Sequence, residues 1–372
     1  MTKRLNVVQN MKRASSRVVA RVTDAVLPQA LTARLRDERS WREWVDGLSA
    51  DLLDDLALAP PHAKRELFRR NVKLVEIETH AKCNRLCSFC PNVDGNRLKN
   101  EKLTDAAMLN RVFDELGSID YRRQIKVARY SEPLRNPESL YACISSARAR
   151  VPNAELAIVT NTDYLKPSVL DQLVAAGLDV MYMSIYLRDK ERWSTELARA
   201  YNARLAHTLG LAETARSETS SVVRYSYEYK GMTVRSACIN FDENGSNRGG
   251  LLAQYSDQLR KGPCREPFET FVIDYTGDVM PCGNLLSDRP EHRNYIVGNL
   301  LDAHASIFDL YAGKLSSWRR SMVTFGQKQQ PCATCRHRDV LDGSILSIAS
   351  RLDRKLSLLK FSEQALVGPS DR

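Results

Sequence analysis

The stretch THAKCNRLCSFCPN, residues 79–92, places Cys83, Cys87 and Cys90 within eight positions. A disulfide joins two cysteines and a structural zinc site takes four protein ligands. A cubane 4Fe–4S cluster has four irons that each need an outer ligand, so three cysteines would leave one iron open to a chelating cofactor. The alternative for the three thiols is a zinc site completed by His80.

The cysteine loop follows the first of six segments with the short apolar pattern of β-strands. These segments cover residues 73–80, 124–130, 155–161, 178–187, 220–229 and 232–240. Helical patterns separate the first five of them, over residues 103–117, 137–150, 166–176 and 190–215. Such alternation predicts an α/β fold with a parallel sheet. Six strands fit a partial (β/α)6 TIM-like barrel, whose chemistry lies at the carboxyl ends of the strands.

The spacing Cys83-x3-Cys87-x2-Cys90, with Phe89 just before the last cysteine, resembles the signature of radical S-adenosylmethionine (SAM) enzymes. The resemblance implies that a 4Fe–4S cluster binds SAM through its open iron. It also implies that electron transfer cleaves SAM to methionine and a deoxyadenosyl radical, which abstracts hydrogen from the substrate. The cofactor would supply the chemistry and the protein would position and shield it. Phe89 is then a candidate cofactor contact.

A turn after the second strand is similar to the Gly-Gly-Glu-Pro element of the same family. Its sequence is RYSEPLRNP, residues 129–137, with Tyr130 and Ser131 where the family has glycines. The resemblance implies that the carboxylate of Glu132 accepts a hydrogen bond from the methionine ammonium of SAM. We expect the two substitutions to change the shape of the turn and to keep this carboxylate.

The ends of the third and fourth strands offer two further candidates for SAM binding. The segment VTNTDYL, residues 159–165, resembles the family's Thr-Asn-Gly element near the adenosine, with Thr162 in place of the glycine. Asn161 is the cofactor contact that this resemblance implies. Ser184 ends the fourth strand, where the family often contacts the ribose or the carboxylate.

Four cysteines farther along the chain form a second possible metal site. A hairpin with a turn at Gly277 lies between Cys264 and Cys282, and a C-x2-C pair follows a helical stretch near residues 302–320. The candidate ligands are Cys264, Cys282, Cys332 and Cys335. Four thiolates fit either a zinc ion or a fully ligated 4Fe–4S cluster.

The spacing Cys264-x12-Gly277-x4-Cys282, with the later C-x2-C, resembles the auxiliary-cluster region of SPASM and twitch radical SAM enzymes. No cysteine follows Cys335, so the chain resembles the shorter twitch type with one auxiliary cluster, the aminocyclitol dehydrogenase type. A cluster held by four thiolates has no open iron, which favours electron transfer over substrate coordination. The resemblance covers about residues 72–340.

The first hypothesis is therefore oxidation of a small polar natural-product substrate, such as a sugar or an aminocyclitol, with the auxiliary cluster as electron acceptor. Tyr186 and Arg188, after the fourth strand, are the candidate catalytic side chains. Further pocket candidates at strand ends are Tyr227, Tyr229, Asn240 and Asp242. An electron donor such as flavodoxin or ferredoxin is the expected partner.

Three other interpretations are open. A redox-neutral epimerase would use Cys238, near the end of the sixth strand, to return hydrogen to the substrate radical, although a buried core cysteine is the more common state. A peptide-modifying maturase would act on a peptide and often carries a winged-helix domain, whereas residues 1–70 show no alternating strand pattern. A metal-binding protein without enzymatic activity is the third.

Composition and charge limit the class of protein. The 372 residues are 43% hydrophobic and 27% charged, typical of a folded domain, and no apolar run approaches the ~18 residues of a membrane span. Nine cysteines without an export signal predict reduced thiols and a cytoplasmic protein. The net charge is +10, but no interleaved basic and aromatic pattern points to nucleic acid.

We predict four segments. Residues 1–70 form a basic helical extension, in which one helix ends before Pro28 and another covers residues 31–48, with a linker at residues 59–64. Residues 71–245 form the radical SAM barrel and residues 246–340 the auxiliary-cluster domain. Residues 341–372 form a helical, basic tail.

Overall fold

The computed structural model describes residues 29–95, 97–188, 191–340 and 344–361. The helix predicted before Pro28 lies outside these residues. The chain divides into two compact units, one of residues 1–50 with 338–367 and one that contains residues 51–337. The predicted segments 71–245 and 246–340 share the second unit almost entirely, and their boundary stays a prediction.

The first unit contains two helices that pack together, Gln29–Gly47 and Ile345–Leu358. The first of them confirms the helix predicted for residues 31–48. Arg351 donates two hydrogen bonds to the carboxylate of Asp46, with Nε–Oδ1 and Nη2–Oδ2 distances of 2.8 and 2.6 Å. Because both partners of this ion pair are exposed, it contributes little to the free energy of unfolding.

The second unit is built on a sheet of ten strands in the order β10-β9-β8-β1-β2-β3-β4-β7-β6-β5. Their bounds are β1 Leu74–Ile77, β2 Gln124–Val127, β3 Glu155–Thr160, β4 Val180–Ile185, β5 Ala212–Glu218, β6 Val222–Tyr229, β7 Met232–Ile239, β8 Thr270–Ile273, β9 Asp278–Met280 and β10 Gly298–Asn299. Six of these described strands run parallel, in the order β8-β1-β2-β3-β4-β7. The other pairings are antiparallel.

Six parallel strands are present, but they are not the six predicted for the barrel. The fifth predicted strand, β6, is antiparallel because only Lys230 and Gly231 connect it to β7, both with positive φ (49° and 85°). A two-residue turn of this kind closes a hairpin and cannot make a parallel crossover. The helix predicted for residues 190–215 ends at Leu209, and β5 follows it. The sixth parallel strand, β8, comes from the auxiliary segment.

Four helices connect or follow the first parallel strands, as the alternating pattern predicted. They are Ala106–Ser118, Pro137–Arg150, Pro167–Ala176 and Thr195–Leu209. The side chains of Asp105, Asn136 and Ser194 cap three of their N-termini. The shorter helices of this unit are Ala50–Leu53, Phe241–Asn244 and Glu266–Glu269.

Residues 59–64 are not the predicted linker, because the helix Pro61–Asn71 begins inside them with Pro61 in its first turn. The predicted hairpin is confirmed: β8 and β9 pair, and Gly277 takes the φ of +84° that the turn needs. The helical stretch near residues 302–320 consists of Ile307–Asp309, a π-helical turn Leu310–Lys314 and Leu315–Met322. Among the described helices, none has the length and apolar character needed to cross a membrane.

Candidate active site

The loops at the carboxyl ends of the parallel strands carry most of the predicted site. The cysteine loop follows β1, the turn with Glu132 follows β2, and Asn161 follows β3. Ser184 is the second-last residue of β4. Parallel strands present these ends at one edge of the sheet, so residues far apart in sequence meet there.

Glu132 is a buried carboxylate that joins three loops. Its Oε1 accepts hydrogen bonds from Thr160 Oγ1 (2.8 Å) and the backbone N–H of Leu134 (3.1 Å), and its Oε2 accepts one from the backbone N–H of Asn161 (2.7 Å). Its own N–H donates to the carbonyl of Lys82. A carboxylate has about four lone-pair sites, and three are used here. Burial raises the pKa of Glu132, and the predicted contact with SAM would use the remaining site.

Asn161 contacts the cysteine loop directly. Its Nδ2 lies 2.7 Å from Asn84 Oδ1 and 3.8 Å from the sulfur of Cys83. Asp163, two residues on, accepts from Asn84 Nδ2 (2.6 Å) and pairs with Arg85. The hydrogen bond from Arg85 lowers the pKa of Asp163. These loop contacts, which no sequence motif predicted, hold the first cysteine against the end of β3.

Thr162 occupies the position where the family has glycine, and its backbone has a φ of +73°. A β-branched residue in the left-handed region is strained by about 1–2 kcal/mol. We expect Thr162→Gly to raise the free energy of unfolding by up to about 1 kcal/mol, since glycine relieves the strain but is about 0.5–1 kcal/mol more flexible when unfolded. Urea unfolding measures the change.

The control is Thr208→Gly, at an exposed position in the helix Thr195–Leu209. There the same substitution should lower the free energy of unfolding by a few tenths of a kcal/mol, because glycine is a weaker helix former than threonine and the hydrogen bond from Thr208 Oγ1 to the carbonyl of Arg204 is lost. Equal destabilisation by both substitutions would contradict the strain assigned to Thr162.

An aromatic group covers the cysteine loop. The ring of Phe89 stacks on that of Phe241, with centroids 3.7 Å apart and planes at 4°, and lies 5.1 Å from the ring of Tyr186. Tyr186 shares a hydrogen bond with Ser184, and burial is the main cause that raises its pKa. The guanidinium of Arg85 lies 5.4 Å from the Tyr186 ring. The structure thus brings Phe89, Ser184 and Tyr186 together. It also adds Phe241, which the sequence analysis did not name although it named the adjacent Asn240 and Asp242.

Cys238 lies on the other face of the sheet from Ser184 and Tyr186. In the β4–β7 register it pairs with Ile185, while Ser184 pairs with Ala237, and neighbouring residues of a strand point to opposite faces. Ser236, on the same face as Cys238, hydrogen-bonds Asn202 of a helix that covers that face. Burial raises the pKa of Cys238 to about 11. Cys238 is therefore buried in the core between the sheet and this helix.

The remaining pocket candidates divide into three that lie away from the site and two that lie at the carboxyl edge. Arg188 is exposed, and its backbone N–H donates to Glu191 Oε2 at 2.7 Å. Tyr227 and Tyr229 lie at the opposite edge of the sheet, because β6 runs antiparallel to β7. The hydroxyl of Tyr229 bonds to Asp171 there. Asn240 and Asp242 do lie at the carboxyl edge, flanking Phe241, and the Asn240 side chain caps the short helix that follows.

A buried ion network, not predicted from the sequence, holds the cysteine loop to its neighbours. Arg97 donates to both carboxylate oxygens of Glu78 (2.8 and 3.1 Å) and to Asp288 (2.7 Å). Glu78 also accepts from the backbone N–H groups of Tyr130 and Ser131. Burial opposes the charge of Arg97, but the two carboxylates outweigh it and raise the pKa of Arg97. The network joins β1, the turn after β2 and the auxiliary segment.

Buried Arg260 links the backbone beside two of the four downstream cysteines, Cys264 and Cys335. Its guanidinium donates to the carbonyls of Gly262 and Pro263, beside Cys264, and to that of Cys335 (3.1 Å). Burial raises the pKa of Cys264 to about 11. Burial and then the thiols of Cys332 and Cys264 raise the pKa of Cys282 well above its usual value. Four thiols that influence one another in a buried site fit a thiolate-bound cluster, whose binding would release their protons.

The three thiols of the first loop lie within eight positions of the sequence. Burial raises the pKa values of Cys83 and Cys90, whose charges affect each other, and all three cysteines affect the hydroxyl of Tyr186. Within the described ranges, no three His, Cys, Asp or Glu side chains already stand at the spacing of ligands around one metal ion. The ligand roles of both cysteine sets stay predictions, supported by the chemistry of their donor atoms.

Residues 264–336 match the SPASM family, described as an iron–sulfur cluster-binding domain. This stretch contains all four downstream cysteines. A curated relative from Niallia circulans, S-adenosyl-L-methionine-dependent 2-deoxy-scyllo-inosamine dehydrogenase, is 23% identical over 270 residues, which are 72% of this chain and 94% of that protein. The resemblance to radical SAM enzymes of the SPASM and twitch type is thereby confirmed.

A solved structure agrees in fold. The crystal structure of BtrN in complex with AdoMet and 2-DOIA has a TM-score of 0.52 and 22% sequence identity, and the likeness covers 72% of this chain and 93% of that chain. The predicted α/β fold with an attached SPASM segment is confirmed at this level. The strand count is that of the sheet described above, in which six of the ten described strands run parallel.

Proposed function

We propose that this protein is a radical SAM oxidoreductase that oxidises a carbinol carbon of a small polar substrate, a sugar or an aminocyclitol. The observation that carries the proposal is the pair of cysteine sets in one compact unit, three after β1 and four in the SPASM segment. The likeness over 270 residues to a dehydrogenase that acts on an aminocyclitol supports the reaction and the substrate class.

When bound, SAM and its cluster would supply the abstraction of a hydrogen atom from the carbinol carbon, a base would take the hydroxyl proton, and the auxiliary cluster would accept the remaining electron. Cys83, Cys87 and Cys90 would hold the first cluster, and Glu132 would orient the SAM ammonium. Phe89 and Tyr186, with Phe241, cover the loop and limit the access of water.

The four downstream thiols would hold the auxiliary cluster with no open iron. Arg260 fixes the backbone beside Cys264 and Cys335, and its positive charge lowers the pKa values of Cys264 and Cys332 against the larger effect of burial. A buried cation also favours the reduced, more negative state of a bound cluster. These features suit an electron acceptor, and we propose a flavodoxin- or ferredoxin-type donor for the first cluster.

The alternatives lose support. Epimerisation through Cys238 would require a thiol on the site face, and Cys238 lies on the face covered by a helix. A winged-helix peptide-recognition domain contains a β-hairpin, and the described residues before β1 contain helices alone. A cytoplasmic location stays a prediction that rests on nine free thiols.

The proposal predicts that substrate oxidation reduces the auxiliary cluster. With substrate and SAM, and reductant limited to one electron per chain, electron paramagnetic resonance of the wild type should show a second reduced cluster as product appears. In Cys332→Ala/Cys335→Ala we expect neither this signal nor oxidised product, while 5′-deoxyadenosine still forms. Equal product yield in the variant would refute the auxiliary cluster as acceptor.

A further inference from the structure

Two arginines at the carboxyl edge of the sheet form no ion pair with an acidic side chain of the described residues. Arg129 follows β2, and Arg248 lies in the loop after the helix Phe241–Asn244. Their guanidinium carbons lie 5.3 and 5.8 Å from the centroid of the same ring, that of Tyr130. Arg129 Nη2 donates to the carbonyls of Gly283 and Leu285, and Arg248 Nη1 donates to Asn284 Oδ1. All of these acceptors are uncharged.

Several hydrogen-bond donors of this group are buried and, among the residues that the structure describes, unpaired. They are Arg129 Nε and Nη1, Arg248 Nε, Tyr130 Oη and Ser131 Oγ. A buried donor without an acceptor destabilises the folded protein, and the more so when it is charged. The set therefore needs an acceptor that the described protein does not supply.

The acidic side chains around the two arginines are engaged elsewhere. Glu76 pairs with Lys126, and Glu78 is bound by Arg97. Asp274 accepts hydrogen bonds from Thr276 and Ser287. Among the described residues, these three carboxylates form no ion pair with either arginine, and Arg129 acts on Asp274 only as a smaller, pKa-lowering effect against burial.

The position of the arginines places this acceptor between the two cysteine sets. Tyr130, whose ring both arginines face, accepts a hydrogen bond at its carbonyl from Asn92 Nδ2 (2.7 Å), two residues after Cys90. Asn247, the neighbour of Arg248, donates to Thr334, which lies between Cys332 and Cys335, at 2.7 Å. Arg129 reaches the residues directly after Cys282. A substrate that loses hydrogen near the first cysteine set and an electron to the downstream cysteine set would lie in this region.

We propose that Arg129 and Arg248 bind an anionic group of the substrate, a phosphate or a carboxylate, with the hydroxyl of Tyr130. The inference rests on the proposed function and narrows it to sugars or cyclitols that carry such a group. Guanidinium groups bind phosphate and carboxylate through paired, charge-assisted hydrogen bonds. A free amine at this point would face two cations.

The test measures anion binding directly. Holoenzyme with both clusters and saturating SAM, without reductant, is titrated with inorganic phosphate and, separately, with malonate by anaerobic calorimetry. We expect Arg129→Gln and Arg248→Gln each to weaken the preferred anion about tenfold or more, and Arg248→Lys to retain part of the affinity. Preference for one of the two anions identifies the group.

Arg224→Gln is the matched control, because it removes the same charge at an exposed position of β6. It should leave anion affinity unchanged. No binding to the wild type, or equal binding in all variants, would overturn the proposal. So would loss of iron from the Arg129 or Arg248 variants, because the arginines would then be counter-charges for a cluster. Absence of SAM cleavage in the reduced wild type would instead refute the proposed function, and the titration would still decide the anion site.

Discussion

Replacing Cys83, Cys87 and Cys90 together by alanine is expected to abolish SAM cleavage and to lower the iron content from about eight to about four atoms per chain. The three thiols are the only predicted protein ligands of the first cluster, so the variant retains no site at which SAM can be reduced. The four downstream thiols are untouched and would keep the second cluster. Anaerobic reconstitution followed by iron analysis and quantification of 5′-deoxyadenosine measures both effects.

Cys143→Ala is the control for this experiment. Cys143 is buried in the helix Pro137–Arg150, where burial raises its pKa to about 12, and it belongs to neither cysteine set. Its removal should leave the iron content unchanged. A starting content of about four irons that falls to none, with zinc present, would mean that the downstream site is structural. The proposed oxidation would then lack its electron acceptor.

Arg97→Met is expected to lower the free energy of unfolding by about 3–5 kcal/mol, because it leaves the carboxylate of Glu78 buried and unpaired. Glu78 is fully buried, Arg97 is 4% exposed, and Asp288 shares the same guanidinium. Glu78 also binds the N–H groups of Tyr130 and Ser131, so the turn that leads to Glu132 should loosen. Urea unfolding gives the loss of stability.

The control for this substitution is Arg122→Met, which breaks an ion pair with Asp120 whose side chains are more than half exposed. It should change the free energy of unfolding by less than about 1 kcal/mol. A double variant, Glu78→Leu/Arg97→Met, should recover part of the loss, since no buried charge is left behind. Equal effects of Arg97→Met and Arg122→Met would contradict the importance assigned to the buried network.

The parts of the site that the sequence predicted well depend on local spacing. The two cysteine sets, the Gly277 hairpin and the order of β1 to β4 are each encoded within a few neighbouring residues or in a repeated pattern. Glu132 and Asn161 were located from short motifs that resemble the family's, in the loops after β2 and β3. These features need no knowledge of distant contacts.

The predictions that were wrong depend on the direction of a strand and on its register with the neighbouring strand. The pattern of β6 predicts a strand but not that the turn at Lys230 and Gly231 reverses it, so Tyr227 and Tyr229 were assigned to the wrong edge. A shift of one position moves a side chain to the other face, so Cys238 could not be placed without its pairing to β4.

The contacts that sequence reasoning missed join distant parts of the chain. Arg97 meets Asp288 across 191 positions, and Arg129 meets Leu285 across 156. Neither pair follows a periodic pattern. A single sequence offers no signal for such contacts, although they hold the cysteine loop in place.

The pairing of β1 with β8 also determines when the sheet can be completed during synthesis. Leu74 pairs with Thr270, and 196 positions (270 − 74) separate the two residues in the chain. At ribosomal speeds of about 5–20 residues per second, the outer edge of β1 stays open for roughly 10–40 s. An open strand edge invites pairing with other chains. The outer edge of β1 is therefore covered only late in synthesis, after the other five parallel strands have been started or made.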